Sequence, residues 1–368
     1  MIVQRGRGRV IAARPARSGV RNDTPAPRAG PVRRGGVLSC PAVPADAPNE
    51  LPPGGGAGPA ASGAPAGSAP APLDVGDAEA VARTFTAAAA AHRDDPRRVG
   101  ATVHLPAGDR LWVTGDLHDH TLNFRRALRA SGLDAADATD DAGDLLLLQE
   151  VIHGPDEING MDLSVRLLAR CAELKRRFPR RLLTVLSNHE LAQRRGERIT
   201  KEGRSVTEAF DAGLNFLYGE HVDAVRVAMH AYLDALPLAV RTRPDGARGV
   251  LMTHSLPSPK HIDDFDPSVL DREPRAEDFT PAGSAYRLVW GRYHNAKITA
   301  ELADTLAADV LLVGHQPADM GYEPFGDEGL ILAADHGHGQ ILPLDTGATV
   351  TRDGLMDALV PLAAVRTD

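Results

Sequence analysis

The sequence predicts an α/β core, on three observations. Six short apolar runs recur along the chain: Leu111–Thr114, Leu145–Leu148, Leu182–Leu186, Val250–Thr253, Val310–Val313 and Leu330–Ala333. Near-continuous apolar runs of about four to six residues suit strands covered on both faces. Longer amphipathic stretches separate the first three runs, so this part reads β-α-β-α-β. Five of the six runs also end in carboxylate, amide or imidazole side chains. In α/β sheets the functional crevice lies beyond the carboxyl ends of the strands.

The elements follow in order. Of the 368 residues, positions 1–75 hold 13 of the 28 prolines, 12 of the 36 glycines and none of the aromatic residues. Such a segment buries too little apolar surface to offset its ordering entropy, so a disordered Ala/Pro/Gly/Arg-rich tail is expected over 1–75. Residues 76–368 are expected to form one catalytic domain. It opens with an Ala-rich helix over Ala78–Ala91, where Val81 and Phe85 lie four apart. Further helices are expected at Asn123–Ala130, Met161–Phe178 and Phe210–Ala235.

Charge and composition exclude several classes. The tail carries +5 and the remaining 293 residues −13. An acidic body lacks the basic face that phosphate-backbone neutralisation requires, which argues against a nucleic-acid partner. It leaves room for an acidic ligand, because a bound cation inverts the local field. Cys40 and Cys171 are too few for a disulfide framework and suit a reducing compartment. No apolar run approaches the ~18–20 residues of a membrane span, and Val10–Ala13 is too short for a signal-peptide core. A cytoplasmic protein without a membrane partner is therefore expected.

The polar residues at the strand ends form an ordered set. Asp116 and His118 follow the first run, Glu150 the second, Asn188 and His189 the third, His254 the fourth and His315 the fifth. Asp116 and His118 are separated by one residue, so in an extended segment both point the same way. A carboxylate with an imidazole suits Zn, Mn or Fe. Glu150 adds a carboxylate able to bridge two ions, and Asn188, His254 and His315 supply neutral ligands. Two cations about 3.5–4 Å apart clamp a phosphoryl group and lower the pKa of bound water. His189, left free of metal, is placed to protonate the leaving oxygen.

This order resembles the calcineurin-like metallophosphoesterases, and within them the phosphoprotein-phosphatase branch. The family pattern is G-D-x-H, then G-D-x-x-D-R-G, then G-N-H-E, then two later histidines. Residues 111–120 carry the first block, 187–190 the third, and His254 and His315 the histidines. Leu288–Arg292 sits where the branch keeps a Trp-containing loop, and the stretch from His315 to Gly337 looks like its last metal histidine and following hairpin. The resemblance spans roughly Arg110–Leu344. It implies a metallophosphoesterase-type β-sandwich flanked by helices. It also implies two divalent ions (Mn, Fe or Zn, with Mn favoured), one on Asp116, His118 and Glu150 and the other on Glu150, Asn188, His254 and His315. A hydroxide between them would attack phosphorus in a phosphorylated substrate, a phosphoprotein or small phosphoester, as in a protein Ser/Thr phosphatase.

The second block departs from the pattern. Glu150 replaces the bridging Asp, His153 stands where the family's second Asp supports the catalytic histidine, and Gly154 replaces the phosphate-binding Arg. Asp144 is a rival bridge, but it precedes its apolar run and should lie at the far end of the strand. Arg292, Arg194 and Arg195 are candidates for the missing cation, and His336 for the substrate mouth. The basic stretch Gln193–Arg204 is either a phosphate-attracting rim or a solvated insertion. Two other readings stay open: a dinucleoside polyphosphate or nucleotide phosphatase, and a catalytically weak metal-binding scaffold.

Overall fold

The computed structural model describes residues 72–201 and 203–367. Most of the expected tail, 1–71, lies outside the described residues. Its last residues are packed: the Leu73 N–H donates to Glu173 (2.7 Å), and the Val75 carbonyl accepts from the Tyr218 hydroxyl (3.1 Å). The docked chain thus begins before Gly76.

Among the described residues the strands are β1 (Arg98–Val99), β2 (Thr102–Pro106), β3 (Arg110–Asp116), β4 (Leu145–Gln149), β5 (Leu182–Thr184), β6 (Thr200–Lys201), β7 (Arg204–Ser205), β8 (Ala239–Arg243), β9 (Val250–Thr253), β10 (Val310–Val313), β11 (Tyr322–Phe325), β12 (Gly329–Leu332), β13 (Gln340–Asp345) and β14 (Val360–Pro361). They make a seven-stranded sheet, β1-β2-β8-β9-β10-β12-β11, a five-stranded sheet, β14-β13-β3-β4-β5, and the hairpin β6-β7. All six apolar runs are strands. β3, β4 and β5 pair in parallel, as do β9, β10 and β12.

The apolar runs are continuous because each face of each sheet is covered. Leu111, Val113, Leu145 and Leu147 of one sheet meet Val250, Met252, Leu312 and Leu330 of the other in an inter-sheet core. The alternate residues Leu146, Leu148 and Leu182 pack outward with Phe124, Leu168 and Cys171 of the helices Thr121–Ser131 and Val165–Arg177. This is the expected sandwich flanked by helices.

Two helix boundaries differ from expectation. The helix expected over Met161–Phe178 starts at Val165, because Met161 pairs back to Ile158 and Asp162 accepts the Ser164 N–H (2.7 Å), a local turn that competes with helix. The helix expected over Phe210–Ala235 is two, Val206–Tyr218 and Val222–Leu233. Gly219 breaks it in a left-handed conformation, φ 49°, that disfavours any other residue. None of these helices is long and apolar enough to cross a membrane.

The two sheets are stitched at one rim. Asp116, the last residue of β3, forms a parallel bridge with Ala333, just beyond β12, and its carbonyl accepts the Ala334 N–H (2.9 Å). A Cβ on Gly115 would lie 2.0 Å from the Leu332 carbonyl oxygen, so only glycine lets the strands meet there. The carboxyl ends of both parallel sets consequently open at the same edge.

His92 closes the helix Ala78–Arg93 against β5, its Nε2 3.1 Å from the Thr184 hydroxyl. Burial, with the nearby Lys175 charge, holds its pKa well below the ordinary 6.5. Above pH 6.5 His92 is neutral folded and unfolded, and its contribution is fully present. Below it the unfolded chain takes up a proton that the folded chain refuses. Stability should then fall with a slope approaching about 1.4 kcal/mol per pH unit for this group. Thermal unfolding from pH 8 to pH 5 should show a shallower acid decline in His92→Gln than in wild type; parallel curves would exclude His92 as the source.

Candidate active site

The rim residues come from the turns that leave the strands. After β3, the N–H groups of Leu117 and His118 both donate to the Glu150 carbonyl (3.0 and 2.8 Å), pinning the first loop to the second. His118 has φ 41°, so the segment is not extended there; the shared direction of Asp116 and His118 comes from this pinning instead of strand alternation. His118 Nδ1 donates to the Ile152 carbonyl (3.0 Å) and its Nε2 faces the cleft, 3.5 Å from Glu150 Oε2.

Glu150 leaves β4 with φ 39°. Glu190 fastens that loop to the next, accepting the Val151 N–H (2.9 Å) and the hydroxyl of Ser187. Ser187 caps the helix Asn188–Arg195, so Asn188 begins a helix with its side chain aimed into the rim. Its Oδ1 lies 2.7 Å from His254 Nε2 and 2.8 Å from His315 Nδ1. His315 has φ 68° and its N–H donates to Asp116 Oδ2 (2.7 Å). Gly314 precedes it because a Cβ there would sit 2.1 Å from Asp116 Oδ1. Of the eight non-glycine residues with left-handed φ among the described residues, His118, Glu150 and His315 are in this set and Asp119 and His153 adjoin it. Such concentration of backbone strain is typical of functional sites.

The set converges. His118, Glu150 and His189 offer ligand atoms within 4.8 Å of one another, and so do Glu150, His254 and His315. Glu150 belongs to both groups. Asp116 Oδ1 lies 3.6 Å from His254 Nδ1. Burial raises the Asp116 pKa, and burial with the Asp116 charge raises that of Glu150. Burial lowers the pKa values of His189, His254 and His315, the first helped by His118 and the last by Arg292. Each group is thus pushed towards its neutral form. Asp116 Oδ1 and His254 Nδ1 are buried without any hydrogen-bond partner. Unpaired buried donors and acceptors are costly, and a cation would satisfy these. Carboxylates, imidazoles and one amide oxygen are the mixed N/O donors that Mn, Fe or Zn accept, so the residues fit such ions.

A cleft of about 240 Å³ opens over the cluster, lined also by Lys201, Arg292 and His336. Arg292 and His336 are thus at the rim. Arg194 and Arg195 are not: they pair with Asp234 and Glu197 and line a different pocket. Asp144 lies at the far end of its strand, accepting the Trp112 indole N–H (2.8 Å). Sequence reasoning missed Lys201. It sits on the β6-β7 hairpin inside the basic stretch, and its Nζ reaches 3.5 Å from His118 Nε2. The basic run was visible, but which of its residues turned inward depended on the hairpin. His153 is buried, with Nδ1 2.8 Å from His189 Nδ1.

No family model matches the sequence, and neither does any curated protein. Among solved structures, the chain is similar to a protein serine/threonine phosphatase from Saccharomyces cerevisiae with similarity to human phosphatase PP5. The identity is 15% and the TM-score 0.56, over 78% of this chain and 93% of that chain. A cold-active protein-tyrosine phosphatase of Shewanella sp. aligns at 12% identity and a TM-score of 0.48, over 74% of this chain and 84% of that chain. With its two stitched sheets and parallel strand ends at one rim, the chain has a phosphoprotein-phosphatase-type fold.

Proposed function

We propose that this protein is a metal-dependent phosphoesterase that hydrolyses phosphate monoesters, with phosphorylated protein side chains as its substrate class. The carrying observation is that two ligand clusters share Glu150 beneath a cleft that also presents Lys201 and Arg292. Asp116, His118 and Glu150 would hold one ion, and Glu150, Asn188, His254 and His315 the other. Two such ions supply Lewis acidity to the phosphoryl oxygens and a water of lowered pKa. Lys201 and Arg292 draw the phosphate dianion into an otherwise acidic protein and orient it. His189, with Nε2 3.7 Å from Glu150 Oε1, takes up a proton from water in the cleft on that nitrogen and passes it to the leaving oxygen.

Purified protein reconstituted with Mn²⁺ should hydrolyse an aryl phosphate, and chelation should abolish this. His189→Ala should lower kcat by about 10²-fold or more with metal content unchanged. Metal loss in that variant would make His189 a ligand instead, as its closeness to His118 and Glu150 also permits. Lys201→Ala should raise KM about tenfold, the worth of one charged hydrogen bond. Two bound metals without turnover on any phosphoester would favour the scaffold reading, and preference for dinucleotides over phosphopeptides the nucleotide-phosphatase one.

A further inference from the structure

Behind His189 runs a chain of hydrogen bonds whose polarity is fixed from its far end. The Asp211 carboxylate only accepts, so the Gln193 side-chain NH2 points at it, Nε2 to Oδ1 3.1 Å. Gln193 Oε1 therefore faces the other way, 3.1 Å from His153 Nε2. An amide oxygen also only accepts, so His153 Nε2 carries a proton. His153 is 1% exposed, and burial pushes its pKa down to about 3, so it is neutral with a lone pair on Nδ1. That lone pair lies 2.8 Å from His189 Nδ1, which must then be N–H. The proton-exchanging nitrogen of His189 is consequently Nε2, the one facing the cleft.

We propose that His153 is a positioning residue for His189, with Gln193 and Asp211 as its anchors. The relay locks the tautomer and ring orientation of the histidine that serves the leaving group, with an imidazole instead of a carboxylate against its Nδ1. The placement supports this. Gln193 is four residues after His189 on the same helix, so both side chains share one face. His153 is held further by its surroundings: its N–H donates to Ser164 Oγ (3.0 Å), its ring packs T-shaped with Phe210, and its backbone turns there with φ 62°. The proposal rests on the phosphoesterase reading for its catalytic consequence, but not for the tautomer.

Two measurements on the full chain separate the two. Imidazole ¹⁵N spectra of the metal-free protein at pH 8 should show His189 as the Nδ1–H tautomer and His153 as the Nε2–H tautomer. In His153→Ala the His189 signal should lose its Nδ1–H character, and in His153→Asn, which keeps an acceptor and a donor, it should retain it. An Nε2–H tautomer at His189 in wild type overturns the relay, whatever the activity. In the Mn²⁺-loaded protein, His153→Ala should lower kcat on phenyl phosphate about 10–100-fold. On 2,4-dinitrophenyl phosphate, whose leaving group departs unprotonated, it should lower kcat less than about threefold, with KM for both substrates within about twofold. His153→Asn should recover most of the loss. Equal losses on both substrates would overturn the positioning role. Absence of turnover in wild type beside the expected spectra would overturn the phosphoesterase reading and leave the tautomer lock standing.

Discussion

Glu150→Gln is expected to abolish paired metal binding and to lower turnover at least about 10³-fold. The substitution keeps the size of the side chain and removes only its charge and one acceptor oxygen. Glu150 alone belongs to both ligand clusters, so no neighbour substitutes for it. An amide has a single coordinating oxygen and cannot bridge as a carboxylate does. A 10³-fold loss corresponds to about 4 kcal/mol of transition-state stabilisation. The same change should leave the metal-free chain at neutral pH as stable as wild type or more so, because burial and the neighbouring Asp116 hold the Glu150 carboxyl well above its ordinary pKa at a cost in stability that a neutral amide does not carry. Elemental analysis with thermal melts, with and without Mn²⁺, checks both parts. Wild-type melting should rise with added metal and the variant's should not. A variant that retains two ions and its activity would sink the proposed centre.

Gly115→Ala should be among the most destabilising single-methyl additions in this protein, costing about 3 kcal/mol. The added carbon would lie 2.0 Å from the Leu332 oxygen, 2.1 Å from its carbonyl carbon and 2.5 Å from the Ala333 nitrogen. All three are backbone atoms in a paired strand end, so none can rotate away as a side chain would, and relief requires the sheets to part. Gly337→Ala is the control. It is the same chemical change just past Ala333 on the other side of the seam, where the new carbon meets nothing within 4 Å. Urea unfolding midpoints should separate the two variants clearly. Similar midpoints would show that the seam yields at little cost. Weakened Mn²⁺ affinity in Gly115→Ala, measured below its melting temperature, is expected as well, because Asp116 moves with the seam.

Much of this fold was legible because its central strands are buried on both faces. They read as unbroken apolar runs, and the polar residues ending them stand out against that background. β2, β8 and β13 were not read, for specific reasons. β2 carries His104 within its apolar residues. β8 holds Arg241, whose guanidinium donates to the carbonyls of Leu306 and Ala307 (2.6 and 2.8 Å). β13 holds Pro343, which argues against an interior strand, yet it lies beyond the last residue that β14 pairs with. The site was legible as a roster but not as a geometry. Asp116, His118, Glu150, Asn188, His189, His315, Arg292 and His336 border one cleft, and His254 lies buried behind it against Asn188. The inward turn of Lys201 and the contact between His153 and His189 depend on tertiary placement: a hairpin in one case and a left-handed turn in the other. Periodicity carries neither.

The seam at Asp116 has a mechanical reading. One residue closes the joint between the two leaves with its main chain and offers its carboxylate to the centre with its side chain. Under the proposed function, cargo held at that carboxylate also rivets the leaves, so loading and cohesion become a single equilibrium. Depleting the ion would slacken the joint, and prising the leaves apart would spill the ion.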